Sequence, residues 1–286
     1  MKLTNPSKLK KVMGGIAAAL AITTSATALQ PAPAEAVIGG VSVNQPGTAR
    51  IVMGTMACTG TLISPEWVIT AKHCIGANDG TVSLGNFRWG ESHTVSQVVT
   101  HDQADLALIR LSSPTGIAPV PVNPWNIADN TAGQILGWGG VYQFQYFTLK
   151  GANVNVNRRV TNVATGADTY DNSSAFLELY VNNARITYGD SGGPLLVGGA
   201  LAGVASMANE SASGPARGLL AWYIPVAEYL PWMSQVTGVN FGMAQGVPAP
   251  LIDADQYPPT LQYRLPSSGS STLDSALNNG LGAFSS

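Results

Sequence analysis

The chain contains the stretch Gly189-Asp190-Ser191-Gly192-Gly193-Pro194, in which glycines surround a serine. Glycine loses more backbone entropy on folding than any other residue, so this pattern indicates an unusual backbone path or a close approach of two segments. In one interpretation Ser191 is a nucleophile, and the N–H groups of Gly189 and Ser191 stabilise a developing oxyanion beside it. The alternative is a glycine-rich β-turn before a strand at 195–197. The rest of the chain must decide between these interpretations.

Composition favours a β-rich fold. Only 10% of the 286 residues are charged, while 32 glycines and 18 prolines imply many turns. A chain of this length can still form one all-β unit. The formal net charge is −2, so the chain is not basic enough to indicate nucleic-acid binding. Two cysteines are too few for a disulfide scaffold, so the core must stabilise the fold.

The first 36 residues have the pattern of an export signal. Lysines precede an apolar run at 12–22, and Ala26-Thr27-Ala28 is a small-residue cleavage site. The apolar run is too short to span a membrane. Cleavage after Ala28 would define a signal peptide at 1–28 and leave 29–36 as a short pro-segment, and Ala34-Glu35-Ala36 is an alternative site. We expect a secreted protein, or one associated with the cell envelope, without a membrane span in the mature chain.

Short apolar or alternating runs, broken by turn residues, predict two β-rich halves at about 37–122 and 123–225. Examples are the runs 50–56, Trp67–Thr70 and Phe176–Val181. Four prolines between residues 114 and 124 mark an extended connector. This organisation predicts an all-β fold of two antiparallel β-barrels with a cleft between them.

The end of the chain has a different character. Apolar residues at helical spacing predict a helix over 226–238, with Gly238 at its C-terminus. Residues 239–286 are rich in proline, serine and glycine, and we expect a flexible tail there.

A serine nucleophile needs a base within hydrogen-bond reach and a group that orients the base. His73 is the candidate base, since it ends an apolar run immediately before Cys74. Export favours a disulfide between Cys58 and Cys74, which would hold the imidazole in place. The alternatives are a surface histidine at a strand end and two free buried thiols.

Asp105 is the candidate orienting acid. It precedes the apolar run 106–111, and a carboxylate there would be costly to bury without hydrogen bonds. The alternative is a turn acid at the start of a strand, and Asp102 competes for the same role. His93 and His101 lie among polar residues, and we expect them to be loop residues without a catalytic role.

Six blocks of the sequence resemble the signature sequences of chymotrypsin/trypsin-type serine proteases and occur in the order found in that family. These blocks are 37–40, 58–63, 70–74, 105–108, 137–139 and 189–194. The segment 223–233 resembles the family's C-terminal end, so the similarity covers roughly residues 37–238. The resemblance implies a secreted serine endopeptidase that acts on protein or peptide substrates through an acyl-enzyme, as a monomer, without a cofactor or metal.

The resemblance also implies a role for each candidate residue. Ser191 would attack the scissile carbonyl, His73 would accept and return its proton, and Asp105 would hold the imidazole in the productive tautomer. The N–H groups of Gly189 and Ser191 would form the oxyanion hole. Ser206 would support the aspartate.

An activation step follows from the same resemblance. Asp190 would pair with the α-amino group of Val37 once the preceding segment is removed, and this pair would order the oxyanion loop. Animal members of the family commonly carry several disulfides, whereas this chain can form only Cys58–Cys74. That difference is typical of a bacterial-type member.

The specificity pocket departs from the trypsin pattern. Trypsin-like members carry an aspartate six residues before the nucleophile, and this position is Arg185, so cleavage after Lys or Arg is not expected. Met207 and Ala208 replace a common Trp-Gly pair and Ala221 replaces a common glycine, which predicts a narrower or reshaped pocket. One hypothesis is a preference for acidic residues through Arg185.

A non-catalytic protein is the rival interpretation. The long tail and the unusual pocket residues would suit a binding or adhesion protein on a protease-like scaffold.

Overall fold

The computed structural model describes residues 37–76, 79–85, 90–139, 148–164, 170–171, 173–209 and 219–256. The predicted signal peptide and pro-segment (1–36) and residues 257–286 of the predicted tail lie outside these ranges. The described chain is built mainly from β-strands. In order these are β1 (Val41–Ser42), β2 (Thr48–Met53), β3 (Met56–Ser64), β4 (Trp67–Thr70), β5 (Gly80–Leu84), β6 (Glu91–Thr100), β7 (Ala107–Leu111), β8 (Ala132–Gly137), β9 (Lys150–Thr161), β10 (Val163–Ala164), β11 (Tyr170–Asp171), β12 (Phe176–Val181), β13 (Pro194–Val197), β14 (Ala200–Ala208), β15 (Leu220–Pro225) and β16 (Leu251–Asp253).

The first barrel closes six antiparallel strands in the order β2-β3-β4-β7-β6-β5. Ile51, Val68 and Ile109 are fully buried in its interior. Branched aliphatic side chains suit this position because they pack well on a pleated surface. The run predicted at 50–56 contains the end of β2 and the start of β3, since Gly54 turns the chain with a φ of 59°.

The second barrel closes the order β8-β9-β12-β15-β14-β13 through the pairing of β13 with β8. Leu177, Leu179 and Tyr223 are buried in one cluster with the other apolar side chains of this barrel. The proline-rich connector contacts both barrels, because Val120 N–H donates to Leu62 and Pro121 C=O accepts from Leu201. The predicted all-β fold of two antiparallel barrels is confirmed.

The first described residues do not belong to the first barrel, although the sequence predicts that this barrel begins at about residue 37. Strand β1 pairs with β9 of the second barrel, and Val37 is only 1% exposed within the apolar cluster of that barrel. Gly39 makes the necessary turn with a φ of 81°, a conformation that other residues rarely adopt. The segment 37–42 therefore belongs structurally with the second barrel.

The predicted helix begins with a 3₁₀ turn, Val226–Tyr229, and continues as α1 (Leu230–Thr237). Gly238 ends the helix in the left-handed conformation, and its N–H donates to Ser234 C=O at 3.0 Å. This is the usual helix end at glycine, because glycine adopts positive φ without steric cost. None of the described helices is long and apolar enough to cross a membrane.

Residues 239–256, which we call the strap, are not the flexible tail that composition predicts. Strand β16 within the strap pairs in parallel with β9, and Ile252 packs against the core. The Asn162 amide donates to the Asp253 carboxylate at 2.9 Å. The difference has a physical reason: the backbone of β9 offers hydrogen-bond partners that a distant segment can use, and composition does not report such pairing.

Substitution of Ile252 tests whether the strap contributes to stability. Ile252→Ser removes a partly buried aliphatic contact, and we expect a loss of about 1 kcal/mol and a Tm lower by about 2–4 °C. Val247→Ser is the matched control, because Val247 lies in the same strap but is 92% exposed. Equal melting temperatures for the two variants in a thermal unfolding experiment would show that the strap does not pack on the barrel.

Candidate active site

His73 is held in place from both sides. It lies in a 3₁₀ turn, Lys72–Cys74, that follows β4 directly. The predicted disulfide between Cys58 and Cys74 is present, and it ties this turn to strand β3. Both cysteines are buried, whereas the His73 side chain is 41% exposed. The imidazole is therefore exposed to solvent, while the turn that carries it is fixed by the disulfide.

The Asp105 carboxylate binds His73 at two points. Asp105 Oδ2 accepts a hydrogen bond from His73 Nδ1 at 2.7 Å, and Oδ1 accepts the His73 backbone N–H at 2.9 Å. Because an ionised carboxylate only accepts hydrogen bonds, Nδ1 carries the hydrogen, and in the neutral imidazole Nε2 then keeps its lone pair. Asp102, the competing acid, is exposed. The geometry thus pairs His73 with Asp105.

Ser206 on β14 completes a hydrogen-bonded chain across the two barrels. Its hydroxyl donates to Asp105 Oδ2 at 2.6 Å. Burial raises the pKa of Asp105, but the hydrogen bonds and charge of His73 and the bond from Ser206 outweigh it, so the pKa lies below its ordinary value. Asp105 is consequently ionised at neutral pH.

The Ser191 loop is anchored to both barrels. Ser191 C=O accepts the Thr59 N–H of β3 at 2.8 Å, and Gly192 N–H donates to Ala205 C=O of β14 at 2.8 Å. Gly192 has a φ of 77°, and a Cβ there would overlap the Thr70 hydroxyl and the Thr59 carbonyl. This close approach explains the glycine, and it seats Ser191 against the strand that leads to His73.

Asp190 is a buried carboxylate that joins three segments of the chain. It is 1% exposed. Its Oδ1 accepts the Gly139 N–H at 2.8 Å, and its Oδ2 accepts the Thr187 N–H at 2.9 Å. The backbone nitrogen of Val37 also donates to Oδ2 at 3.2 Å. The structure thus brings the predicted pair of Val37 and Asp190 together.

The amides of Gly189 and Ser191 differ from their neighbours. Neither N–H donates a hydrogen bond to any residue within the described part of the chain. Gly189 has a φ of 96°, and its carbonyl accepts the Thr59 hydroxyl at 2.7 Å. Among the described residues, these two N–H groups therefore remain available as donors to a ligand.

A cavity of about 420 Å³ opens beside His73, Asp105 and Ser206. Its other lining residues are Lys72, Gln103, Asp171, Ser173 and Met207. Polar and apolar side chains both contribute to this lining, next to the hydrogen-bonded chain. Across the described ranges, no group of His, Cys, Asp or Glu side chains could hold a metal ion.

Of the four predicted specificity residues, only Met207 lines this cavity. Arg185 is partly exposed, and its backbone N–H donates to Ile38 C=O at 2.8 Å. Ala208 and Ala221 face each other across β14 and β15, and Ala221 is fully buried. A role of these three residues in substrate selection stays a prediction.

Sequence reasoning missed the surroundings of two histidines. His93 is a buried residue of strand β6, not a loop residue, and its Nε2 lies 3.2 Å from the Glu91 carboxylate. His101 is partly buried, and its Nδ1 accepts the N–H groups of Gln103 and Ala104. In the sequence, only the position of His101 shortly before Asp105 indicates a role near the site, and this is a weak signal.

The sequence matches the Trypsin family over residues 37–233. A Corynebacterium glutamicum protein named as an uncharacterized peptidase is 36% identical over 274 residues, which cover 94% of this chain and 97% of that protein. A trypsin of Phaedon cochleariae is 31% identical over 207 residues, or 64% of this chain and 79% of that protein.

The fold is also similar to that of a solved structure, mouse neuropsin, a serine protease. The two chains are 24% identical and superpose with a TM-score of 0.52, over 67% of this chain and 94% of neuropsin. At this identity the superposition supports the double-barrel fold alone. The family match, which covers more than half of the chain, shows that the protein is a peptidase of the trypsin family.

Proposed function

We propose that the chain is an exported serine endopeptidase, active as a monomer, that hydrolyses peptide bonds through an acyl-enzyme. The supporting observation is the hydrogen-bonded chain from Ser206 through Asp105 to His73 beside the anchored loop of Ser191. The export pattern of residues 1–36 supports secretion. Proteins or peptides are the proposed substrates.

The reaction begins with attack of Ser191 Oγ on the scissile carbonyl carbon, while His73 Nε2 accepts the hydroxyl proton. The N–H groups of Gly189 and Ser191 donate to the resulting oxyanion. The tetrahedral intermediate then collapses to the acyl-enzyme, and His73 protonates the departing amine. Water attacks the acyl-enzyme by the same route. Asp105 stabilises the imidazolium in both halves of the reaction.

Activation by cleavage before Val37 has support from the backbone. Val37 has a φ of 41°, which a β-branched residue rarely adopts. Cleavage removes this torsion, because an N-terminal residue has no preceding carbonyl. The new ammonium group would then lie next to the buried Asp190 carboxylate, and a charge-assisted hydrogen bond is about twice as strong as a neutral one.

The pair Asp105→Asn and Asp102→Asn tests the proposed triad. Asn at position 105 cannot hold the imidazole in the productive tautomer, so we expect kcat to fall by about 10⁴-fold. Asp102 is a matched control three residues away, and Asp102→Asn is expected to change kcat by less than about threefold. Steady-state hydrolysis of a fluorogenic peptide library, with the chain that starts at Val37, measures both. Similar kcat values for the two variants would contradict the assignment.

Ser191→Ala separates the peptidase from the rival binding protein. Loss of the nucleophile should lower kcat by at least about 10⁴-fold on the same peptides. The variant should remain folded, since the Ser191 carbonyl and not its hydroxyl anchors the loop. If Ser191→Ala keeps the biological activity of the wild type, a binding or adhesion protein is the better interpretation.

Two starting points of the chain test the activation step. A chain that starts at Val37 should be at least about tenfold more active than one that starts at residue 29, because only the first carries the ammonium group beside Asp190. Asp190→Asn should remove this advantage. Active-site titration, with the mature N-terminus verified by sequencing, makes the comparison. Equal activity of both starting points would show that Val37 has no role in activation.

A further inference from the structure

His101 lies outside the hydrogen-bonded chain that joins Ser206, Asp105 and His73, yet it organises the turn that presents Asp105. We propose that neutral His101 is a positioning residue, which fixes the turn 101–106 and thereby aligns the Asp105 carboxylate with His73. This inference rests on the proposed serine peptidase function, and it adds a second histidine on which activity depends.

The His101 ring acts as an acceptor for its own turn. Nδ1 accepts the Gln103 N–H at 3.2 Å and the Ala104 N–H at 2.9 Å. A ring nitrogen can accept only when it carries no hydrogen, so Nδ1 is unprotonated in this arrangement. The His101 backbone N–H donates to Leu106 C=O at 2.9 Å. These three bonds close the turn on both sides of Asp105.

The second barrel holds the ring in this orientation. Tyr229 and Trp232, from the helical segment that follows β15, contact the His101 ring edge to face. The ring centroids are 5.0 Å and 5.1 Å away, with interplanar angles of 87° and 83°. Such T-shaped contacts favour one ring orientation. If Nδ1 carried a hydrogen, it would clash with the two backbone N–H groups that it now accepts. Rotation of the ring to relieve that clash would disturb its contacts with both aromatic side chains.

Lys72 connects the same turn to His73. Its Nζ donates to the carbonyl oxygens of His101 at 2.8 Å and Asp102 at 2.9 Å. Lys72 also belongs to the 3₁₀ turn that carries His73. The Lys72 side chain therefore joins the turn that carries His73 to the segment that carries Asp105. This connection adds to the direct contact between the side chains of His73 and Asp105.

Among the described residues, the charges of Lys72 and Asp102 act on the His101 ring from the first barrel. The phenol ring of Tyr229 faces it from the helical segment. Burial raises the pKa of Tyr229, so this group stays neutral. Glu228, next in sequence, forms an ion pair with Arg159 at 2.8 Å.

Protonation of Nδ1 would place a third hydrogen against two backbone N–H groups, so the turn would have to open. Burial lowers the pKa of His101; the Asp102 charge raises it and the Lys72 charge lowers it further, with a net value below the ordinary one. The neutral form therefore persists at neutral pH. Activity that depends on the closed turn is fully present above this pKa and is lost as the pH falls through it.

Two substitutions distinguish the role of the His101 ring as a hydrogen-bond acceptor from the space that the ring fills. In His101→Asn the amide oxygen can accept the same backbone N–H groups, as in an Asx turn, and it does not titrate. His101→Leu fills the space without an acceptor. We expect His101→Leu to lower kcat by about 10- to 100-fold at pH 8 with little change in KM, because misalignment affects the transition state. His101→Asn should recover most of this loss.

The pH profile provides a readout that a merely structural role would not change. In the wild type, the acid limb of log kcat/KM should steepen from a slope of one towards two as the pH falls through the pKa of His101. In His101→Asn the slope should stay at one. The pH range is limited to values at which tryptophan fluorescence shows the wild type to be folded. A slope of one in the wild type throughout, or wild-type kcat in His101→Leu, would overturn the proposal.

An NMR titration tests the geometry without catalysis. The amide proton of Ala104 should shift in the wild type together with the titration of the His101 ring, and this shift should be absent in His101→Asn. An Ala104 amide that does not respond to pH would overturn the proposal even if His101→Leu fails to fold. A wild type without Ser191-dependent hydrolysis would instead overturn the proposed function, and with it the catalytic role of His101.

Discussion

The buried carboxylate of Asp190 is the constraint on which the candidate site depends. A carboxylate without hydrogen bonds is very costly to bury, so the amides of Gly139 and Thr187 and the nitrogen of Val37 are required partners. They come from the segment after β8, the Ser191 loop and the first residues of the described chain. A Cβ at Gly137 or Gly139 would overlap the carboxylate, which explains the Gly-Trp-Gly sequence at 137–139. One buried charge thus sets the conformation of the loop that presents Ser191.

Neither barrel contains the site alone. His73 and Asp105 belong to the first barrel, whereas Ser206 and the Ser191 loop belong to the second. The bond from Ser206 to Asp105 crosses the cleft, and so does the bond from Thr59 to the Ser191 carbonyl. His101, packed against Tyr229 and Trp232, adds a third connection, between the first barrel and the helical segment after β15. Because these groups must align within fractions of an ångström, the packing between the barrels is itself part of the site.

Much of the fold could be predicted from local patterns. The runs Trp67–Thr70 and Phe176–Val181 are strands with the predicted bounds, because fully buried strands consist of short apolar runs between turn residues. The pairing of β16 with β9 and of β1 with the second barrel could not be predicted, because these contacts join segments far apart in sequence. Composition made the strap resemble a flexible tail.

The candidate site was predictable in a different way. Spacing alone left Asp102 and Asp105 as competing acids, and only the resemblance to a family assigned the role to Asp105. His101 was missed because its function depends on the direction of one ring nitrogen, which no sequence pattern reports. Arg185, Ala208 and Ala221 could be aligned with pocket positions of the family, but alignment does not give the direction of a side chain.

The role proposed for Ser191 is that of the activated nucleophile in this site. Its most direct test is intact-mass measurement and peptide mapping after treatment of the chain that starts at Val37 with a fluorophosphonate. We expect a single adduct on the peptide that contains Ser191, formed much more slowly when Asp190 is replaced by asparagine. No adduct, or an adduct on a different serine formed at the same rate, would contradict this account of the site.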